Sequence, residues 1–219
     1  MNRNFHRNIY GIDLNVTMIL IIINMLVFLS VHTLPWAFGW GKFYVISLLA
    51  LQLDLPWTFI TSFFTHWDVW HIFMNLLALF FIGQFIESIL GAKRYLLTYF
   101  AGGIMGGIFF IVWDVLILGE LSVSVGASGA IFAIFTALAV LRPDQKVYLF
   151  PLPVPITLPV AVALAFFAAM FIFGGMTSVA NSAHLGGIVA GAACGYYFKK
   201  KAKPLYEYDN YGNVYRYEY

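Results

Sequence analysis

Ser128, His184, His71 and Asn75 carry the side chains of this sequence best suited to chemistry. A serine hydroxyl becomes a nucleophile when a histidine takes its proton and later returns it to a leaving amine. A second histidine and an amide supply donors of the kind that stabilise an oxyanion. Removing one such donor typically costs about 2.7–4 kcal/mol of transition-state stabilisation. All four residues lie in apolar stretches, where polar side chains are costly and mark function or helix packing. Each also has a plainer reading. Ser128, in Gly126-Ala127-Ser128-Gly129-Ala130, reads alone as a packing serine, His184 as a histidine bonded within a bundle, and His71 with Asn75 as a polar clasp between helices. Only the elements that position them discriminate.

Those elements are membrane helices. The chain has 219 residues, 62% hydrophobic and 10% charged, with mean hydropathy +0.84. A soluble domain carries about 25% charge. Six apolar segments are expected: Val16–Val31, Val69–Leu90, Tyr95–Leu118, Ala127–Leu141, Ile156–Phe173 and Ala183–Phe198. The fold class is therefore an all-α polytopic membrane protein with six transmembrane helices. Basic residues orient it. With the N-terminus inside, 11 of the 12 Lys and Arg fall on inner segments, and only Lys42 lies outside. Both termini are then cytoplasmic. The organisation is a short N-terminus over 1–15, a membrane domain over 16–198, and a basic then Tyr-rich cytoplasmic tail over 199–219, to which no function is assigned. Asn2 to Gly11 with the following apolar run resembles a signal peptide, but no small-x-small cleavage site follows, so it reads as a retained first helix. The single cysteine, Cys194, excludes an intrachain disulfide and a cysteine-based metal cluster.

Depth follows from helical rise. Ser128 stands 14 residues from Arg142, and His184 stands 14 from Phe198. Each separation is about 21 Å. Asn75 is 15 residues from Leu90, or about 22 Å. Three helices thus carry these residues to one level, several ångströms below the outer surface of a core ~30 Å thick. His71 lies one turn above Asn75 on the same face. The fourth helix is short for a span, so the loop Gly119–Val125 dips to meet it, and irregular backbone at that depth belongs inside protein or beside a wet cavity. Gly129, Ala133 and Ala137 form one small-residue ridge; Ala183, Gly187, Gly191 and Gly195 form another. Such ridges let membrane helices approach closely, which would bring the hydroxyl to the imidazole.

Other polar residues read as support. Asn24 is expected to bond between helices, and Glu87 and Gln84 to be structural. Asp114 and Asp68 are expected at the interface rather than behind His184, so a Ser–His dyad is the economical reading. His66 has a structural reading with a supporting role as the alternative. The outer loop Thr33–Asp68 holds Trp36, Trp40, Trp57 and Trp67 and little charge. It is either an aromatic belt or a half-embedded brace for the helices. Pro143, Pro151, Pro153 and Pro155 prevent helix in the inner loop.

At these residues the sequence resembles the rhomboid family of intramembrane serine proteases, from about Val16 to Phe198. The second helix holds His66, His71 and Asn75 in a His-x4-His-x3-Asn spacing, with Glu87 twelve residues on. The nucleophile motif is Gly126-Ala127-Ser128-Gly129, and the sixth helix reads Ala183-His184-x2-Gly187-x3-Gly191. The resemblance implies Ser128 as nucleophile and His184 as base, with no metal or cofactor. It implies His71, Asn75 and the Ser128 backbone N–H as oxyanion hole. It further implies single-span membrane proteins as substrates, entering between the second and fifth helices and cut near the outer face after a small residue. The protein would sit in the cell (inner) membrane with its site open to the extracytoplasmic side, with the lipid bilayer and no nucleic acid as its other partner. One departure is visible: the family often has Trp-Arg in the outer loop, and here Trp57 is followed by Thr58.

Two competing functions remain. A non-catalytic relative that binds membrane clients is disfavoured by the intact Ser128 and His184. A transporter or metal carrier using His66, His71 and His184 is disfavoured by the lack of an intramembrane acidic pair and of an inverted repeat.

Overall fold

The computed structural model describes residues 7–9, 12–39, 41–119, 124–148, 154–170, 181–201, 206–208 and 214–216. Its helices are α1 (Val16–Phe38), α2 (Lys42–Leu49), α3 (Thr58–Thr61), α4 (Val69–Leu90), α5 (Ala92–Ile117), α6 (Ser128–Leu141), α7 (Leu158–Ala168) and α8 (Asn181–Lys201). Three stretches are long and apolar enough to cross a membrane: Val16–Pro35, Val69–Leu90 and Ala92–Ile117. α6 and α7 are shorter apolar helices. The six expected segments each contain one helix, with residues 171–173 of the fifth outside the described residues.

α1 runs past the expected end at Val31. Pro35 lies inside it, and the helix stops at Gly39, whose φ of 69° is the left-handed cap that glycine adopts freely. One proline removes a single backbone bond, and the apolar chain continues around it. At its other end, Asn15 Oδ1 accepts from the Met18 N–H at 2.8 Å. Glu87 does more there. Its two carboxylate oxygens accept from the N–H groups of Val16 and Thr17, each at 2.8 Å, and from the Thr17 hydroxyl at 2.7 Å. A carboxylate on a helix N-terminus satisfies orphan donors and opposes the dipole, so Glu87 ties α4 to α1.

α6 is buried along almost its whole length, from Gly129 to Leu141. A helix apolar on every side belongs at the centre of a bundle. α8 lies against it through the expected ridges. A Cβ on Gly187 would overlap the Gly129 carbonyl, one on Gly191 the Ala133 carbonyl, and one on Gly195 would lie 2.8 Å from the Ala137 carbonyl. α5 closes the third side with glycines of its own. A Cβ on Gly102 would overlap Ala133, and one on Gly106 would lie 2.8 Å from the Ala183 carbonyl. Both α4 and α5 contain wider π segments, Leu79–Gly83 and Ile111–Ile117.

The outer loop braces the bundle. α2 buries Ile46 and Ala50 against Val31 of α1, with Trp67 and Val125 at the edge. Thr58 is wholly buried. Its hydroxyl accepts from the Gln52 N–H at 3.2 Å and lies within donating distance of the Leu55 carbonyl, 2.5 Å, and the Gln52 carbonyl, 3.1 Å. Trp57 Nε1 donates to the Leu48 carbonyl at 3.0 Å, and Thr61 Oγ1 to the Leu49 carbonyl at 2.8 Å.

The remaining elements are small. Strands β1 (Arg7–Ile9) and β2 (Ile12–Leu14) pair antiparallel, as do β3 (Lys146–Val147) with β4 (Ile156–Thr157) and β5 (Tyr206–Tyr208) with β6 (Val214–Arg216). The second pair closes the proline-rich inner loop, of which Pro151 and Pro153 fall outside the described residues. The Asn24 amide donates to Leu20 O of its own helix at 2.7 Å, and its side chain also meets the Tyr99 hydroxyl of α5, the expected link between helices.

Candidate active site

Ser128 is the first residue of α6. Ala127 precedes it and offers no side-chain cap, so the first-turn N–H groups are left for another acceptor. Gly126 leads in with φ 113°, a conformation a side chain would strain. Space also requires glycine there, because a Cβ would stand 2.6 Å from His71 Nε2. The outer loop holds this entry segment by its backbone. Gly126 N–H donates to the Ser62 carbonyl at 2.8 Å, and Leu51 N–H to the Ser124 carbonyl at 2.9 Å.

His184 stands in the first turns of α8 and is 4% exposed. Its Nε2 lies 2.8 Å from Ser128 Oγ. With Nε2 accepting the hydroxyl proton, Nδ1 carries the ring hydrogen, an assignment made from the bonding pattern. Nδ1 is buried with no hydrogen-bond partner among the described residues, so no carboxylate backs the ring. The Phe132 ring packs beside it, centroids 4.9 Å apart. Phe132 is one turn on from Ser128, a position the sequence reading passed over. The aromatic ring against the imidazole limits how the ring can turn.

His71 enters from α4. Asp68 is the N-cap of that helix, and its Oδ1 accepts from the His71 N–H at 2.8 Å. Asp68 thereby sets the start of the helix that carries His71 and Asn75. His66 packs edge-on to His71, centroids 5.0 Å apart. It is 1% exposed. Its pKa is pushed down to about 3, first by burial and then by the neighbouring His71 ring, so it is neutral at physiological pH.

Ser128, His184 and His71 line one cavity of ≈ 40 Å³, together with Gly126, Ser62 and Ser124 and the apolar walls of Leu51 and Phe63. A volume above about 10–15 Å³ admits a water where polar partners exist. Asn75 does not line it. Its amide nitrogen instead donates to the His71 carbonyl at 2.9 Å, and its oxygen is buried without a partner among the described residues. Gly103, Gly106 and Gly107 of α5 form the cavity floor. Their doublet at a spacing of four, Gly102-Gly103 and Gly106-Gly107, was a readable signal that the sequence reading did not use. Among the described residues, no three His, Cys, Asp or Glu side chains converge as metal ligands.

Known proteins give this arrangement a lineage. A Rhomboid domain model matches residues 54–201. "Rhomboid protein 1, mitochondrial" of Saccharomyces cerevisiae is 34% identical over 146 residues, covering 64% of this chain and 41% of the relative. "Rhomboid protease GluP" of Bacillus subtilis is 32% identical over 136 residues, 62% of this chain and 24% of the relative. "Inactive RHOMBOID-like protein 8" of Arabidopsis thaliana is 30% identical over 136 residues, 61% of this chain and 36% of the relative. The chain thus spans well under half the length of each of these three. Long apolar helices and a domain match over two thirds of the sequence agree: this is an integral membrane protein, and the chain belongs to the rhomboid family.

Proposed function

We propose that this protein is an intramembrane serine endopeptidase, with Ser128 as nucleophile and His184 as general base. The observation that carries the reading is the 2.8 Å separation of His184 Nε2 and Ser128 Oγ inside a cavity at a helix N-terminus. His184 takes the hydroxyl proton as Ser128 Oγ attacks the peptide carbonyl. The oxyanion that forms meets the Ser128 N–H at the positive end of α6 and the His71 ring. Asn75 joins when its amide turns from the His71 carbonyl toward the cavity. His184 then protonates the leaving amine, and the C–N bond breaks to give an acyl-Ser128. Water in the cavity, activated by the same imidazole, releases the acid and restores the hydroxyl. No metal or cofactor enters any step.

The substrates are proposed to be single-span membrane proteins that reach Ser128 from the side, between α4 and α7. An apolar cleft of ≈ 190 Å³ between α4, α6 and α7 lies toward their inner ends instead, lined by Phe81 and Phe85 of α4, Phe135 and Leu138 of α6, Leu158 of α7 and, from the inner loop, Val147 and Tyr148. All six long or apolar helices are read as crossings, α6 and α7 being short ones, with both termini inside and Ser128 toward the outer face. The membrane is proposed to be a cell membrane. Several relatives are named as mitochondrial, and fractionation of the native source decides between the two.

The test is cleavage of a membrane-embedded reporter and labelling by a serine-directed fluorophosphonate, with Ser128→Ala and His184→Ala as matched variants. Both activities disappear in Ser128→Ala. Wild-type rates in that variant would sink the dyad. A second reading, a non-catalytic binder of membrane clients, is favoured by the relative named as inactive. Clients that co-purify uncut with the wild type, and no fluorophosphonate adduct, would establish it.

A further inference from the structure

Asp114 is an acidic side chain in the otherwise apolar run Ile111-Val112-Trp113-Asp114-Val115-Leu116-Ile117, the π segment that ends α5. An ionisable group in such a run needs a partner. Its Oδ2 accepts from the hydroxyl of Ser182, the second residue of α8. We propose that Asp114 is a positioning residue for His184, acting through Ser182 to set the rotation of α8 at its first turn. This inference rests on the dyad reading and goes beyond it, because Asp114 touches neither Ser128 nor His184.

The geometry gives the bond its leverage. Ser182 precedes His184 by two residues, and Ala183 between them is seated on α5, its carbonyl 2.8 Å from where a Cβ of Gly106 would stand. Further along α8, Gly187 and Gly191 meet the carbonyls of Gly129 and Ala133. Those contacts fix the distance of α8 from its neighbours. Small residues leave the helix free to roll, since they have no side chains to interlock. A polar bond at the end of the helix stops the roll. The consequence for chemistry is large. An imidazole about 5–6 Å from the helix axis shifts by about 1 Å for a roll of about 10°. A misplacement of about 1 Å costs on the order of 100-fold in rate.

His184 itself has no partner at Nδ1 among the described residues. Apart from the Ser128 hydroxyl at Nε2 and the Phe132 ring beside it, the ring's orientation depends on the backbone that bears it. Asp114 and Ser182 form the polar bond that holds it at the first turn of α8.

The experiment compares Asp114→Ala, Asp114→Asn, Ser182→Ala and the Asp114→Ala/Ser182→Ala double variant with the wild-type full chain in liposomes. Reporter cleavage, Ser128-dependent fluorophosphonate labelling and thermal unfolding are measured on each. Asp114→Ala and Ser182→Ala are each expected to lower kcat by about tenfold or more, with KM within about twofold of wild type, the pattern of lost transition-state positioning. The double variant is no slower than the worse single variant, because one bond is removed twice. Asp114→Asn, which still accepts from Ser182, recovers most of kcat. Wild-type kcat in Asp114→Ala overturns the proposal, as do losses that multiply in the double variant, or a fall in kcat that only tracks lost thermal stability. A wild-type chain with no Ser128-dependent activity overturns the dyad reading first and this inference with it. An active wild type with an equally active Asp114→Ala removes this inference alone.

Discussion

Gly187 of α8 faces the backbone carbonyl of Gly129 of α6 with no room between them for a side chain. The obstructing atom is backbone, so it cannot rotate away. A methyl group there must push the two helices apart, and overpacking of this kind typically costs about 1–3 kcal/mol. The two helices carry Ser128 and His184, so the same displacement lengthens the 2.8 Å contact. Gly187→Ala is expected to lower the unfolding temperature and to reduce reporter cleavage by about tenfold or more. Gly41→Ala is the control, since a Cβ there meets only Tyr44 at 4.0 Å. Equal activity in Gly187→Ala would show that the ridges do not set the dyad distance.

Thr58 makes a second prediction, about the outer loop. Its buried hydroxyl accepts from the Gln52 N–H and has the Leu55 and Gln52 carbonyls as acceptors for its one proton, and the next residue back, Leu51, donates to Ser124 beside the Gly126 turn. Thr58→Val keeps the shape and strips the bonds, leaving a buried N–H unpaired at a cost of about 1–3 kcal/mol. Where that cost reaches about 1.4 kcal/mol in placing the cavity wall, cleavage falls about tenfold. Thr58→Ser restores the bonds and the rate. Matching rates in the valine and serine variants would mean that the loop is held by its apolar contacts alone.

What the sequence made legible, and what it hid, divides along physical lines. The ridges could be read because a spacing of four is the whole specification: Gly187, Gly191 and Gly195 meet Gly129, Ala133 and Ala137 in order. The common depth of Ser128 and His184 could be read because helical rise is fixed. The direction of a side chain is not so fixed. Asn75 lies a turn below His71 as counted, yet its amide is turned to the His71 carbonyl and away from the cavity. Asp68 and Asp114 were read only for depth, and so as interfacial. The Asp68 cap was within reach of sequence, because its partner is three residues on. The Asp114 bond to Ser182 spans 68 residues and leaves no local mark. The π segments are equally silent, since their wider turns use the same apolar residues as the helix around them.

His66 supplies a prediction in pH. Its ring is buried and edge-on to His71, and its pKa is pushed down to about 3 by burial and by that neighbour. In the unfolded chain a histidine titrates near pH 6.5. Between pH 6.5 and about 3 the unfolded state therefore holds a proton at this site that the folded state does not. Stability rises with pH wherever the unfolded state binds more protons. The contribution of His66 is thus fully present above about pH 6.5 and is lost progressively as pH falls toward 3. Thermal unfolding of the wild type across this range should show a declining unfolding temperature on acidification. His66→Phe keeps an aromatic ring against His71 and removes the titration, so its decline should be shallower. Parallel curves for the two proteins would mean that water reaches His66 and lets it protonate without unfolding the chain.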